Sequence, residues 1–367
     1  MAARLVTALR ERGHEPLVVT TRSDDALPAE DTYAGVAVRR LDFGSALRSG
    51  SLDQFGSVRS AVSALKRDFR PDVVHLTLLG PDTLFHLDTA RAHAAPTIVT
   101  VQQSAISRLG HRKDSVLGRA LREADRAVYC SRAMRDEMES VLPELTGRSS
   151  VIPNALDPPP AGAIEPMPHG RILCLGRMVW DKGFDVALAA FARLAARRPD
   201  ARLILAGDGP ARADLESLAG SLAVTDRVEF PGWVAPDQVP ALLNRAGLVL
   251  VPSRREAFGL VALEAMVMGR PVIASDVGGL PEVVVHGRTG ILIPPGQVDL
   301  FADALDRLLR DPRRAVALGT EGRRVAQERF GWAKHVDAYE ELYRQLTNKE
   351  KGSHEFGSAT AIRAERQ

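Results

Sequence analysis

Cysteine is nearly absent. Only Cys130 and Cys174 occur in 367 residues. Both sit in strand-like apolar runs and read as buried free thiols, because two scattered cysteines make neither a disulfide framework nor a metal site. Long hydrophobic runs are lacking too, and none approaches the ~20 residues that a membrane span needs. Charge of one sign does not dominate. A net charge of +2 supplies no global field that would point to nucleic acid. The opening MAARLVTALRERGHE alternates in charge and has no long apolar core, so it does not read as a signal peptide, and a cytoplasmic location is expected. What is present is a soluble, globular composition, 45% hydrophobic and 26% charged. Domains of roughly 100–200 residues suggest two for this length.

The chain alternates short apolar runs with helical segments. In the first half the strand-like runs are PLVVTT (16–21), GVAVRRL (35–41), DVVHLT (72–77), TIVTV (97–101), RAVYC (126–130) and SSVIP (149–153). Helical patterns such as SVRSAVSALKRDF (57–69) lie between several of them. Repeated strand–helix–strand argues for a parallel sheet covered by helices on both faces. NALDPPPAGAIEPMPHG (154–170) holds five prolines and two glycines and reads as a linker. The pattern then restarts with RILCLG (171–176), RLILAG (202–207), RVEF (227–230), LVLVPS (248–253), PVIAS (271–275) and GILI (290–293).

The expectation is therefore two doubly wound α/β domains, 1–153 and 171–331, joined by the linker 154–170. A terminal helix over 332–347 is expected to pack back on the first domain. The tail 348–367 lacks a sustained period and is expected to be disordered, with GSHEFGS reading as a cloning remnant. Ligands of such sheets bind beyond the C-terminal strand ends, and two facing domains make a cleft.

Two constellations carry chemistry. In SRREAFGLVALEAMVMGRPVIASDVGGLPE (253–282) a strand ends at Pro252-Ser253 and a helix starts after Gly259. Its N-terminus leaves free N–H groups and partial positive charge, which suits a phosphate. Glu256, in the loop, can accept hydrogen bonds from sugar hydroxyls, and Glu264, about one and a half turns into the helix, from a second set. The plainer reading is an amphipathic helix with two solvated glutamates. In LCLGRMVWDKGFD, Arg177 and Lys182 follow the first strand of the second domain. Two cations there form a diphosphate clamp and can neutralise a leaving nucleoside diphosphate. Alternatively they are two surface cations. The turns AGDGP (206–210), FPGW (230–233) and DVGGLPE (276–282) end strands on the same edge and are individually weak signals.

Together these residues resemble the family 4 retaining glycosyltransferases of GT-B architecture, over nearly the whole chain and most strongly from VIPNALD (151–157) to GILIPPG (290–296). The resemblance implies that Glu256 holds the donor sugar, Glu264 the ribose, and Arg177 and Lys182 the diphosphate. It implies that backbone groups around Phe258, Gly259 and Leu260 contact sugar and phosphates, and that Gly232 lies by the base. It also implies that no cofactor or bound metal is needed beyond a nucleoside diphosphate-sugar donor. Configuration is then retained by a same-face substitution in which the leaving phosphate helps deprotonate the acceptor, with no protein nucleophile. The acceptor is a carbohydrate, a lipid or a small molecule.

The chain departs from the family pattern in two places. It starts inside the helix that the family's first strand and glycine-rich turn would precede. That strand would be central in a doubly wound sheet, so the expectation is a start assigned downstream of the true one, or a fragment not fully competent. Gln102, in VTVQQS, stands where the family often has a histidine, and it cannot titrate. His75, in DVVHLT, is the nearby imidazole; a histidine that ends a buried strand is more often structural, and with that plainer reading beside it Gln102 and His75 are the acceptor-side candidates. ISRLGHRKDSVLGRALREADR (106–126) sets six Arg/Lys against three acids. It reads as a solvated helix face, with peripheral membrane contact as the sharper alternative. Competing functions are a nucleotide-sugar-binding protein without turnover and a GT-B-type epimerase or phosphorylase; for the phosphorylase no second poised lysine stands out.

Overall fold

The computed structural model describes residues 1–24, 26–77, 80–102, 115–158, 160, 162 and 164–357, with side chains through 348. Its first half runs α1 (Ala2–Glu11), β1 (Leu17–Thr21), β2 (Glu30–Tyr33), β3 (Val36–Leu41), α2 (Phe43–Arg48), α3 (Leu52–Phe69), β4 (Val74–Leu76), α4 (Pro81–Asp88), β5 (Thr97–Val101), α5 (Val116–Glu123), β6 (Arg126–Tyr129), α6 (Arg132–Val141) and β7 (Ser149–Val151). These strands do not form one parallel sheet as expected. β4-β5-β6-β7 make a parallel four-stranded sheet, while β1-β3-β2 form a separate one in which β2 runs antiparallel to β3. Among the described residues the outer edges of β1 and β4 pair with no strand. β2, EDTY, escaped the sequence reading because it is exposed at every position, so it carries no apolar alternation to detect.

The second half runs β8 (Arg171–Leu175), α7 (Phe184–Ala195), β9 (Arg202–Ala206), α8 (Arg212–Ser221), β10 (Val228–Gly232), α9 (Val239–Asn244), β11 (Leu248–Val251), α10 (Leu260–Val267), β12 (Val272–Ser275), α11 (Leu280–Val283), β13 (Gly290–Ile293), α12 (Val298–Arg310) and α13 (Pro312–Arg329). All pairings are parallel, in the order β10-β9-β8-β11-β12-β13. β11 and β12 are buried at every residue, as strands covered on both faces must be, which is why they read as unbroken apolar runs. This is the doubly wound order 3-2-1-4-5-6, whose direction reverses between β8 and β11. Ligands of open α/β sheets bind at that switch point.

One apolar cluster joins the two halves. Leu121, Tyr129, Met134 and Met138 of the first pack with Leu173, Val249, Phe258, Leu263 and Leu280 of the second, all buried. Fully burying side chains of this size stabilises by roughly 1.5–3 kcal/mol each.

The terminal helix, α14 (Trp332–Gly357), returns to the N-terminal sheet. Val336, Tyr339, Leu342 and Leu346, spaced along one helical face, bury against Leu5, Leu9, Ile98 and Val128. Arg12 pairs with Asp337 at 2.6 Å, and His335 Nδ1 donates to the Pro153 carbonyl at 2.7 Å. The helix passes residue 347 and ends at Gly357, so the first ten residues of the expected disordered tail are helical. The run NKEK is made of residues that mostly extend a formed helix without needing an apolar face. Residues 358–367 lie outside the described residues.

Candidate active site

The crossover at the switch point brings two loops together. One follows β8 and carries Arg177 and Lys182; the other follows β11 and carries Glu256. Lys182 Nζ donates to Glu256 Oε2 at 2.8 Å, and Ser253 Oγ donates to the same oxygen at 3.2 Å. The Glu256 side chain is only 13% exposed, so this charge-assisted pair sits in a medium less screening than bulk water.

Two further interactions lock the loops. Arg254 makes a bidentate bridge to Asp185 at 2.8 and 2.6 Å and lies over the Trp180 ring, 4.7 Å from its centroid. Its backbone N–H donates to the Asp181 carbonyl at 2.7 Å. The close approach needs glycine. A Cβ on Gly183, at φ +66°, would stand 2.1 Å from the Pro252 carbonyl oxygen. A Cβ on Gly278, at φ +55°, would stand 2.0 Å from the Glu256 carbonyl oxygen. Both positions combine the left-handed region with backbone contact, which excludes side chains.

α10 begins immediately after this loop. Gly259, at φ +105°, is its N-terminal cap residue, and no side chain caps the first turn. Among the described residues no side chain meets the first N–H groups of the helix, the feature that makes a helix N-terminus an anion site. The Phe258 side chain turns inward, buried and edge-on to Phe330 with ring centroids 5.7 Å apart, so only its backbone is available to a ligand. Leu260 is 36% exposed at the helix mouth.

Glu264, further along α10, makes no hydrogen bond or ion pair among the described residues, and burial pushes its carboxyl up to about 7. An isolated, poorly hydrated carboxylate is costly unless something donates to it. Arg177 is exposed and has no carboxylate partner among the described residues. Gly232, at φ +81°, ends β10 and accepts from Gly207 N–H at 2.8 Å.

A cavity of about 300 Å³ opens in front of Glu256, lined by Ala133, Met134 and Glu137 of α6 and by Arg255, Ala257 and Gly278. It lies between the two domains. Sequence reasoning missed the α6 residues. Ser131 could have been found as a helix cap, since it accepts from Met134 N–H, but nothing local says that α6 faces the second domain.

The acceptor-side candidates separate. Gln102 follows β5 with its side chain free of hydrogen bonds among the described residues. His75 is half-buried, with Nδ1 at 2.8 Å from the Tyr343 hydroxyl and Nε2 at 2.7 Å from the Thr100 hydroxyl. Burial holds its pKa down to about 4. Both ring nitrogens are taken, and the residue ties α14 to the N-terminal sheet. Cys130 is buried, its thiol pushed up to about 12, and Cys174 is likewise buried and shifted upward; both are free. The basic segment 106–126 falls partly on 106–114, which lie outside the described residues. Its described part, α5, buries Gly118, Ala120 and Leu121 and pairs Arg119 with Glu123. Among the described residues no helix is long and apolar enough to cross a membrane.

Residues 165–325 match the family described as glycosyl transferases group 1, and residues 1–159 match glycosyltransferase family 4. The chain is similar to a glycogen synthase of Mycobacterium tuberculosis, with 30% identity over 373 residues, covering 92% of this chain and 88% of that protein. It is 35% identical over 175 residues to an alpha-D-kanosaminyltransferase of Streptomyces kanamyceticus, where the alignment covers 48% of this chain and spans less than half, 45%, of that relative. Among solved structures, a sucrose-phosphate synthase from Thermosynechococcus elongatus superposes with a TM-score of 0.79 at 26% identity, covering 94% of this chain and 92% of that one. The two matched segments meet within the linker and the switch-point site falls inside the second; on these grounds the chain belongs to the family 4, group 1 glycosyltransferases, enzymes that transfer a sugar from a nucleotide sugar.

Proposed function

We propose that the chain moves a glycosyl group from a nucleoside diphosphate-sugar to an acceptor held in the interdomain cleft, with retention of configuration and without a metal. The observation that carries this reading is the Lys182–Glu256 pair at the β8/β11 switch point, beside an uncapped helix N-terminus. A diphosphate entering there meets Arg177, Lys182 and the first N–H groups of α10. Lys182 then exchanges its carboxylate partner for a phosphate, and Glu256 is released to accept from hydroxyls of the donor sugar. Glu264 receives the ribose diol, which supplies the donors its carboxylate lacks.

These groups act where charge develops. As the bond from the anomeric carbon to the diphosphate oxygen lengthens, negative charge grows on the leaving phosphate, and fixed cations and helix N–H groups stabilise it more than they stabilise the ground state. The acceptor hydroxyl attacks from the face that the phosphate leaves, and its proton passes to that phosphate. The charge requirement is met by side chains and backbone, so the reading has no step for a metal. The acceptor occupies the cavity in front of Glu256, between α6 and the donor loop, where bulk water is restricted and donor hydrolysis with it. Its class follows from the hydroxyl the reaction needs: a carbohydrate, a hydroxylated small molecule or a lipid headgroup.

The test is calorimetric titration of a panel of uridine, guanosine and adenosine diphosphates and their sugars into the full chain, repeated with Glu264→Ala. Binding of one nucleotide, weakened at least tenfold by the substitution, supports the donor site and identifies the base. A folded chain that binds none of them refutes the assignment. Nucleotide-sugar binding with no release of nucleoside diphosphate across a broad acceptor panel would favour a binding protein without turnover.

A further inference from the structure

The loop that carries Glu256 is held from the other domain at the Ala257 carbonyl, which accepts a short bond from Ser131 Oγ at 2.6 Å and a longer one from the neighbouring Cys130 Sγ at 3.7 Å. Ser131 caps α6, and its Oγ accepts from Met134 N–H at 3.1 Å. The same oxygen donates its proton to the Ala257 carbonyl at 2.6 Å. A hydroxyl has one donor and two lone pairs, so both bonds form together. Ser131 is 1% exposed, which leaves no water to take over either partner. A cap alone requires only the bond to Met134; the bond to Ala257 reaches a different domain, one residue from Glu256.

A second tie runs in the opposite direction. Glu282, in α11 of the C-terminal domain, accepts from Ala133 N–H in the first turn of α6 at 2.9 Å, and its other oxygen lies 3.4 Å from Arg132 Nε. A carboxylate from one domain thus meets a first-turn N–H and the positive end of a ten-residue helix in the other. The circuit closes inside the C-terminal domain, where Gly279 N–H donates to the Glu256 carbonyl at 3.0 Å. From Glu256 the ring passes through Ala257 to Ser131, along the first turn of α6 to Ala133, across to Glu282, and back through Gly279. It crosses the domain boundary twice.

We propose that Ser131 is a positioning residue for Glu256, and that Ser131 and Glu282 together latch the two domains in the arrangement that presents the Glu256 loop to the cleft. The catalytic consequence rests on the reading of Glu256 as the group that holds the donor sugar; the latch itself does not. Both ties end on the first turn of α6, so parting of the domains breaks them in one step. The Glu256 loop then keeps only its contacts within its own domain.

Hydrogen exchange on the full chain decides the latch without any ligand. In Ser131→Ala, amides of 253–259 and 276–282 should exchange at least tenfold faster than in the wild type, and Ser131→Thr, which keeps both bonds, should restore wild-type rates. Glu282→Ala should speed the same two loops and the first turn of α6. If Ser131→Ala loosens α6 alone and leaves 253–259 at wild-type rates, Ser131 is a helix cap and the proposal is overturned. UDP-glucose and GDP-mannose then probe the consequence. Where the wild type turns one of them over, by transfer or slow hydrolysis, Ser131→Ala should lower kcat at least tenfold with KM within threefold, and Ser131→Thr should recover it. A rise in KM at unchanged kcat would overturn the positioning role. A wild-type chain that neither binds nor turns over any nucleotide sugar refutes the donor-site reading instead, while the exchange result still stands or falls by itself.

Discussion

Lys182 and Glu256 are 74 residues apart in the chain and 2.8 Å apart in the fold, joined across the point where the strand order of the C-terminal sheet reverses. β8 and β11 are neighbours in that sheet, so the loops that leave their C-terminal ends must meet. The pair is a consequence of topology, and its chemistry sets the first prediction.

Removing Lys182 leaves the Glu256 carboxylate with Ser253 as its only remaining donor among the described residues. Lys182→Ala should lower kcat/KM for the nucleotide-sugar donor by on the order of 100-fold, the usual scale for one preorganised charge-stabilising group. Glu256→Gln should cost a similar factor. The double variant should resemble the worse single one, because groups acting on the same bond cleavage are not additive. Additive losses would show that the two residues act independently and would argue against the exchange of partners.

Glu264 should make nucleotide binding pH-dependent. Its carboxyl is pushed up to about 7 by burial, and the ribose diol donates to the ionised form. The fraction ionised rises about tenfold between pH 6 and 8 for a group titrating near 7. Affinity should therefore rise by up to about tenfold over that interval, beyond the dependence shown by the nucleotide's own phosphate. Titrating Glu264→Gln supplies that baseline and should remove the excess. Equal pH slopes for the two proteins would separate Glu264 from the ribose.

Two desolvated histidines, the buried His86 and the half-buried His75, should weaken the protein in acid. Burial holds His75 and His86 down to about 4, while both titrate near 6.5 when unfolded. Above pH 6.5 neither state is protonated and the full stability is present. Between 6.5 and 4 the unfolded chain takes up protons that the folded chain refuses, so stability falls as pH falls, by about 1.4 kcal/mol per unit for each histidine. Glu264 acts in the opposite sense, because its folded value lies above the unfolded one and its contribution declines as pH rises from about 4.5 to 7. Urea midpoints measured from pH 7 to 4.5 should fall, and Glu264→Gln should make the fall steeper. A flat profile would contradict the desolvation of His75 and His86.

Gly278 and Gly287 form a matched pair. Both have positive φ, but a Cβ at Gly278 meets the Glu256 carbonyl at 2.0 Å whereas one at Gly287 meets nothing within 4 Å. Gly287→Ala carries conformational strain alone and should cost on the order of 1 kcal/mol. Gly278→Ala must also displace the backbone of the donor loop and should cost about 3 kcal/mol or more. Thermal melts compare the two. Turnover should be lost in Gly278→Ala even at temperatures where it is folded.

Much of this was legible locally. The parallel strands of the second half announced themselves because strands covered on both faces must be apolar throughout, and LVLV and VIAS are. The start of α10 was visible in Gly259, and the cations after β8 in GRMVWDKG. β2 was not legible, since an exposed edge strand places no apolar side chains in the core. DVVHLT left His75 open between a structural and an acceptor-side imidazole, and its partner Tyr343, 268 residues later on α14, is visible only in the fold.

The sequence by itself determined the periodicity of the elements and which residue types stand at the strand ends, because these depend on each residue's own conformational and solvation preferences. The tertiary structure alone decided the partners. That Glu256 faces Lys182, that Glu264 has no donor among the described residues, that Gly278 touches the Glu256 backbone, and that Ser131 reaches across to Ala257 all follow from strand order and domain apposition. Those are set by the burial of one shared apolar cluster, a property of the whole chain that no local window contains.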